Sequence, residues 1–588
     1  MTNSMNKQVD VLIVGAGPAG VMAANLLGQY NIRTLLIDRE AEIVTIPRAV
    51  GMCDEGARII DSSGLMSELE SQLTPINDLY LKKQDKSAMF RFDCETEVNG
   101  HQILRSFYQP GFETILRNGL KRFQSVELWP STECLQIEDL GSKVKCRLRL
   151  NDNTCQTVTC KYVIASDGAR SSIRKMLGTK FKGYSYAQDW LVVDVKNDPV
   201  KDRSYMQFMC DPNRPGVTLP TPNGSRRWEF VVKQNEHESF INSESSIREL
   251  LKPWGDIDDM KITRKSVYTF HAVVADQFRI GNVFLLGDAA HLTPPFAGQG
   301  LMAGLRDAAN LCWKLAFVLK GAIPEQFLDT YNKERRPQAA IIVYLARIMG
   351  LFVLPQNPIR VLLRDTFFKL ATLKHRHSHG LEKARIRKLP NNIVGYRALL
   401  KPQKEPEKLD LGYELPNFRV SFKSNDMGRE NSVEQGLLDT ALGNHFYLVR
   451  WSNSANSMED HNENMSPPVK AMLNQIDCRF CTIVNHENTL FNYEKSAVNE
   501  ASPGSSQVGR LNQRASSSKQ HTKFVIDIDQ RYQTMFKSGE RWILIRPDKM
   551  VVVCAGTRKL NKALEQYLTQ SLQLKLENSQ VLSPVGVV

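Results

Sequence analysis

A short apolar run, Val9 to Val14, breaks at Gly15-Ala16-Gly17-Pro18-Ala19-Gly20 and continues in a helical pattern from Val21 to Tyr30. A second apolar run, Thr34 to Ile37, then closes on Asp38. No other stretch limits the fold so tightly. Glycines at the first, third and sixth positions of a strand-to-helix turn permit the bend, let backbone approach a pyrophosphate, and allow the helix to pack on the strand. An acid about 20 residues on is placed to bind the ribose of an AMP half. The pattern predicts a dinucleotide site formed by Gly15, Ala16, Gly17, Pro18, Ala19, Gly20, Asp38 and the adjoining Arg39. Flavin and nicotinamide dinucleotides share that half, so this fingerprint does not choose between them.

A second segment, Arg279 to Leu315, reads RIGNVFLLGDAAHLTPPFAGQGLMAGLRDAANLCWKL. The run Val283 to Leu286 has the length and character of a buried strand and stops at Gly287-Asp288. Pro294 to Gly300 is expected to be neither helix nor central strand, because prolines lack donors and glycines relax the backbone. From Leu301 apolar residues recur at helical spacing through Leu315. Strand, bend and helix start therefore converge, and the free N–H groups of such a start favour negative charge. GDAAHLTPPFAGQG resembles the second flavin-binding motif of the single-component FAD-dependent aromatic hydroxylases, the para-hydroxybenzoate hydroxylase and phenol hydroxylase group. The flanking VYTFHAVVADQFRIGNVFLLGDAAH and LDTYNKERRPQA resemble most the 3-(3-hydroxyphenyl)propionate hydroxylases.

The resemblance implies that the one fingerprint holds FAD, while NADH or NADPH visits as a transient reductant and O2 is the co-substrate. It carries over to Phe278, Gly287, Asp288, Pro295, Gly298, Gln299, Gly300, Leu301 and Met302 as cofactor-binding positions. Relatives often have Asn where this chain has Met302, so a side-chain hydrogen bond is absent there and backbone amides must serve the flavin. A third match, Tyr162 to Arg174, runs strand, Asp167-Gly168, helix start, and is implied to support the pyrophosphate and the approach of NAD(P)H. The segment Pro47-Arg48-Ala49 implies a flavin-side role for Arg48, and Gln109 is implied at the ribityl or pyrophosphate region. Asp54 stands where an acid can take a phenol proton, a role that burial would tune; an N-cap of a helix Glu55 to Ser63 is the alternative. Residues Gly183 to Phe270 alternate and are rich in aromatics, as expected of a sheet over a ring-binding pocket. Tyr268 is the first choice there for contact with the aromatic ring or its hydroxyl, and His271 the second.

These motifs divide the chain into an α/β, Rossmann-like FAD domain of the para-hydroxybenzoate hydroxylase type (1–75, 108–180, 275–345), an antiparallel-sheet substrate domain (76–107, 181–274), a helical segment (346–404) and a C-terminal domain (405–588). The last resembles the thioredoxin-like domain of phenol hydroxylase relatives and carries a Ser-, Gly- and Gln-rich insert near 502–523. Its Cys478-Arg479-Phe480-Cys481 lies in a strand-like run with no helix start, so it does not read as a thioredoxin redox motif.

The formal charge of +13 raises nucleic acid as a partner, but the basic residues are scattered apart from Lys374 to Lys388 and no nucleic-acid motif accompanies them. His375, His377 and His379 lack the carboxylate or Cys partners of a metal site. Eleven cysteines without a framework point to reduced thiols and a cytoplasmic setting. The N-terminus reads without a signal peptide, and the apolar stretch Ala339 to Leu354 reads as a buried or interfacial helix too short for a bilayer, so no membrane is expected. A homodimer is left open. The resemblance implies NAD(P)H-consuming hydroxylation of a phenolic acid ortho to its hydroxyl, with 3-(3-hydroxyphenyl)propionate and 3-hydroxycinnamate as best substrates. The rivals are hydroxylation of another phenolic or polyketide-like ring, a plain flavin reductase, and an FAD-binding interaction protein.

Overall fold

The computed structural model describes residues 7–198, 200, 204–233, 236, 243–375, 411, 414–423, 433–452, 465–484, 522–535 and 541–574. His377, His379 and the insert near 502–523, up to its last two residues, lie outside the described residues. The described chain forms two compact units, one of residues 7–312 and 329–375, the other of 313–328 and the residues from 411 onward.

The first unit is built on a six-stranded sheet whose order is Val126–Trp129, Thr34–Ile37, Val11–Val14, Tyr162–Ala165, Val283–Leu285, Arg279–Ile280. The first five strands are parallel and the last pairs antiparallel with its neighbour. Val11–Val14, Thr34–Ile37 and Tyr162–Ala165 are buried at every position, which is why they read as unbroken apolar runs. The helix after the first strand spans Pro18–Gln29, three residues earlier than its apolar period, because Pro18 at its first turn needs no donor. The hairpin region expected between Val126 and Val163 forms three antiparallel strands, Glu133–Asp139, Val144–Arg149 and Cys155–Cys160.

An eight-stranded sheet covers one side of the candidate site. Its order is His291–Leu292, Lys261–Ala275, Phe181–Lys196, Ser225–Val231, Gly216–Thr221, Tyr205–Met209, Asp78–Lys82, Ala88–Asp93. Alternation gives it two apolar faces. Leu191, Val193, Trp228 and Phe230 pack with the helix Glu244–Leu251 on one, whereas Trp190, Phe208, Val217, Leu219 and Val231 meet Phe296 on the other. Trp190 lies 5.6 Å from Phe296 and 5.7 Å from Phe270, so the bend of the second motif is seated on this sheet through aromatic contacts.

The helix holding Ala339 to Leu354 starts much earlier and spans Asp329–Val353 with Pro337 inside it. By length and composition alone Glu325–Val353 is long enough to cross a bilayer, contrary to the shorter stretch read from the sequence. Its buried positions, among them Tyr331, Arg335, Gln338, Ile342, Ala346 and Val353, instead follow one helical face.

The second unit carries a seven-stranded mixed sheet in the order Val433–Leu437, Arg419–Lys423, Thr522–Asp527, Arg479–Val484, Tyr447–Ser452, Arg541–Ile545, Val551–Gly556. Tyr447–Ser452, the helix Pro467–Gln475 and Arg479–Val484 make a parallel crossover, and Arg541–Ile545 with Val551–Gly556 form the expected hairpin. Cys478 precedes its strand and Cys481 lies within it; both are buried and in no disulfide, and burial pushes the Cys478 thiol far up.

Candidate active site

The three sequence motifs meet at one sheet edge. Gly15 follows Val14, Asp167 follows Ala165-Ser166, and Gly287-Asp288 follows Leu285-Leu286, all at the C-terminal ends of adjacent parallel strands. Ligands of open α/β sheets collect at such edges. Close packing there leaves no room for side chains at some glycines. A Cβ on Gly15, where φ is +104°, would lie 2.4 Å from the Ser166 carbonyl oxygen, and one on Gly20 would lie 2.0 Å from that of Gly15. Gly17, Gly168, Gly298 and Gly300 are different, since a Cβ on any of them meets nothing within 4 Å. Backbone that is bare yet faces open space suits a bulky ligand held against the main chain.

Polar groups around the recess point the same way. Asp38 accepts the Ala16 N–H at 2.6 Å, which ties the acid to the fingerprint turn and leaves further lone pairs for hydroxyls. Arg39 is turned outward to Glu40, 3.2 Å away. Arg117 donates to the Ala16 carbonyl at 3.3 Å, while its Nε, the Asp167 Oδ1 and the Thr293 Oγ1 are buried with no partner among the described residues. Such orphaned groups are costly and fit a site that a polar cofactor completes. Asp288 is open to solvent although protein surrounds it on most sides, as befits the wall of a recess. That enclosure raises its carboxyl above the ordinary value, opposed by nearby His291 and Arg48. The residues present therefore fit FAD.

Gln109 opens the helix Gln109–Gly119 and accepts the Arg48 and Ala49 N–H groups, both at 2.7 Å, so it holds the Pro47-Arg48-Ala49 segment. Its own amide donates to Glu113 at 2.8 Å; burial raises that carboxyl despite the hydrogen bond. The second motif is fixed from behind. Asp307 accepts the Gly287 N–H at 3.1 Å and lies 2.8 Å from both His291 Nε2 and Arg335 Nε. Burial would push the Asp307 carboxyl up, but His291 and Arg335 outweigh it and hold it below the usual range. Arg306 joins Glu55, 2.5 Å away, to Gln299, 2.7 Å away. Sequence reasoning passed over Glu113, Arg117, Arg306, Asp307 and Arg335. Asp307 and Arg306 stand out in the sequence as charges on an otherwise apolar helix.

Some expectations change. Pro295–Ala297 forms a 3₁₀ turn inside the segment expected to be free of helix, a geometry that tolerates proline at its start, and the long helix begins at Gly300, one residue before Leu301. Phe278 is fully buried, 5.8 Å from His291 and 6.2 Å from Tyr331, so its ring serves the core. Met302 is likewise fully buried, and a Cβ on Gly56 would meet its sulfur at 2.0 Å; only the Met302 backbone remains to serve a ligand. Asp54 is not an N-cap. The helix spans Asp54–Ser62, its N-cap is Cys53, and Asp54 is buried in the first turn. Burial pushes the neighbouring Cys53 thiol up to about 11.

On the sheet, Arg264, Tyr268 and Phe270 share the face that holds Trp190. Arg264 donates to the Tyr268 hydroxyl at 2.6 Å and to Asp194 at 3.0 Å. Arg227 clamps Asp194 at 2.7 Å and donates to the Pro47 and Arg48 carbonyls. The sheet thereby holds the loop that carries Arg48. Glu229, on the same face, is buried, and burial raises its carboxyl although Arg227 opposes the rise. His271 belongs to the other face, 2.9 Å from Ser185 Oγ. Among the described residues no group of His, Cys, Asp and Glu could hold a metal ion.

Comparison with known proteins agrees with this geometry. Residues 8–346 match the family described as FAD binding domain, and residues 429–570 match the HcaD C-terminal domain. A 3-(3-hydroxy-phenyl)propionate/3-hydroxycinnamic acid hydroxylase of Burkholderia cenocepacia (strain HI2424) is 39% identical over 65% of this chain and 69% of its own length. The enzyme of that name from Escherichia coli (strain SMS-3-5 / SECEC) is 32% identical over 76% of this chain and 79% of its own. Among solved structures, the flavin-dependent monooxygenase PieE in complex with FAD and substrate superposes with a TM-score of 0.70 at 20% identity, covering 96% of this chain and 99% of that one. Aklavinone-11 hydroxylase with FAD and aklavinone gives a TM-score of 0.66 at 18% identity, covering 98% and 100%. At those identities the two structures speak for the fold alone.

Proposed function

Because the chain belongs to the FAD-dependent aromatic hydroxylases, we propose that it hydroxylates 3-(3-hydroxyphenyl)propionate and 3-hydroxycinnamate next to the ring hydroxyl, giving the 2,3-dihydroxy acids. It is a flavoprotein monooxygenase with FAD as cofactor and NAD(P)H as reductant. The observation that carries the reading is the convergence of Gly15, Asp167 and Asp288 on neighbouring strand ends.

FAD, when bound, supplies the oxygen chemistry, taking hydride from NAD(P)H and passing one oxygen atom of O2 to the ring. The chain binds, orients and excludes water. Gly17 and its helix would cradle the pyrophosphate, Asp38 the ribose, and Asp288 the ribityl hydroxyls, while the amides of Leu301 and Met302 would serve the flavin's pyrimidine edge. Pro295, Gly298, Gln299 and Gly300 shape that bend, and Arg48 and Gln109 lie at the ribityl side. Half-buried Phe270, backed by Trp190, offers the phenyl ring an apolar surface. Arg227 and Arg264 outnumber the single ion-paired carboxylate between them, Asp194, which leaves positive charge for a substrate carboxylate. Asp54 accepts the phenol proton and Tyr268 donates to the substrate oxygen. A phenolate activates its ortho carbon, so this proton transfer prepares the ring for oxygen attack.

The same reading assigns the FAD domain to 1–75, 108–180 and 275–345, the substrate domain to 76–107 and 181–274, and a cytoplasmic setting. The C-terminal domain is read as thioredoxin-like from its strand–helix–strand crossover flanked by an antiparallel hairpin. The test is oxygen uptake by the purified yellow protein with NADH or NADPH across a panel of phenolic acids, with products analysed by mass spectrometry. Substrate-dependent uptake and a catechol product are expected; uptake indifferent to every phenolic acid would leave a plain reductase.

A further inference from the structure

We propose that the outward face of the helix Pro358–His375 docks on an anionic phospholipid surface. Ile359, Leu362, Leu363, Phe367 and Leu370 recur along it at helical spacing and are between 54% and 69% exposed. Leu351, near the end of the preceding helix, is 67% exposed. Scattered exposed leucines need no explanation, but five large apolar residues along one helix face form the kind of patch that monomeric proteins keep covered.

The other side of the helix already has its partners. Arg364 donates to the carbonyls of Cys210 and Phe352 at 3.0 and 3.3 Å, and Phe368 lies 6.3 Å from Phe90 and 5.3 Å from Phe352. The helix is therefore anchored by residues 364 and 368 and presents the opposite stripe to whatever covers it. Charge selects the occupant. The only acid in the helix, Asp365, is held inward by Arg364 at 2.8 Å and Lys83 at 3.4 Å. Exposed Arg360 and Lys369 lie on the two edges of the apolar stripe. The sequence then continues into the basic run Lys374 to Lys388, whose residues from Arg376 on lie outside the described chain. An apolar stripe flanked by Lys and Arg is the pattern of a helix lying in the headgroup region, where the stripe enters the acyl boundary and the cations meet lipid phosphates. A second copy packed on this face about a two-fold axis would bring like-charged flanks together.

Full-length, FAD-loaded protein is co-sedimented with phosphatidylcholine vesicles with and without phosphatidylglycerol, at low and high salt. Binding is expected only with phosphatidylglycerol and is expected to weaken with salt. L363E/L370E is expected to reduce it on the order of tenfold or more. R360E/K369E is expected to reduce it in a lipid-charge-dependent way. Flavin absorbance and oxygen uptake, unchanged in both variants, report the intact fold. No binding to phosphatidylglycerol vesicles overturns the proposal, as does binding that survives L363E/L370E. A dimer that L363E/L370E dissociates, with no vesicle binding by the parent protein, assigns the face to a second copy instead.

Discussion

The Asp307 carboxylate accepts the Gly287 N–H at 3.1 Å, so the turn that presents Asp288 hangs on a side chain 20 residues further along the chain. The same carboxylate is the counter-charge of Arg335, which is buried like itself. Removing it leaves a guanidinium uncompensated in the interior, a change that costs about 3–5 kcal/mol. D307A is expected to lower the urea midpoint accordingly and to emerge from purification poor in FAD. D307A that unfolds like the parent and keeps its flavin would remove Asp307 from this role.

The pH dependence of that contribution has a definite sign. Asp307 is held below its ordinary value of 3.8, so its stabilisation is complete above that pH and is lost as pH falls through the lower folded value. The stability gap between the parent and D307N should stay constant from neutral pH down to about 4 and close only in stronger acid. Urea unfolding at a series of pH values measures the gap. A gap that opens instead on acidification contradicts the assignment.

Gly17 and Gly20 belong to one fingerprint but should fail differently. A Cβ at Gly17 meets nothing within 4 Å, whereas one at Gly20 would lie 2.0 Å from a backbone oxygen. G17A is expected to fold with a thermal midpoint near the parent's yet bind FAD at least about tenfold more weakly, because the methyl occupies the pyrophosphate's place. G20A is expected to be insoluble or grossly unstable. Flavin titration of apo G17A with circular dichroism separates the outcomes, and unaltered FAD affinity would move the cofactor elsewhere.

The contrast shows which parts of the site the sequence discloses. Local chemistry is legible in sequence, so the fingerprint, Asp167-Gly168 and Gly287-Asp288 stand at the predicted strand ends. Contacts between distant segments are not. Nothing near Gln109 announces that its amide holds Arg48 and Ala49, and nothing near Arg227 announces its bonds to the carbonyls of Pro47 and Arg48. Phe278 and Met302 show the converse. Their positions within matching motifs made them cofactor-binding candidates, but burial commits both side chains to packing. Phe270, hidden between the more conspicuous Tyr268 and His271, supplies an aromatic contact to Trp190 that alternation alone left unassigned.

Glu229 is expected to oppose folding at neutral pH. Burial raises its carboxyl above the ordinary 4.5, so the folded state holds a proton that the unfolded chain has released, and stability falls as pH climbs from that value through the folded one. E229Q removes the titration while keeping the shape. It should melt above the parent at neutral pH and lose that advantage once pH drops below the ordinary glutamate value. Differential scanning calorimetry of both proteins across this range decides; an advantage independent of pH would trace to packing instead.

Arg264 Nη2 donates to the Tyr268 hydroxyl at 2.6 Å, so the phenol oxygen is occupied as an acceptor and its own proton is directed elsewhere. Under the proposed function, that proton would be offered to an oxygen of the substrate on the face shared with Trp190 and Phe270. Y268F keeps the ring and deletes only the donor. One hydrogen bond to a developing charge contributes about 1.5–3 kcal/mol, so kcat/KM for the phenolic acid should drop roughly tenfold to a hundredfold. FAD content and substrate-free NAD(P)H oxidation should not change. R264Q should reproduce part of the loss and also loosen the Pro47–Arg48 segment, since Arg264 donates to the Pro47 carbonyl at 2.5 Å. Y268F with parental kcat and KM would place the reacting hydroxyl away from this residue and leave Asp54 as the remaining candidate to test.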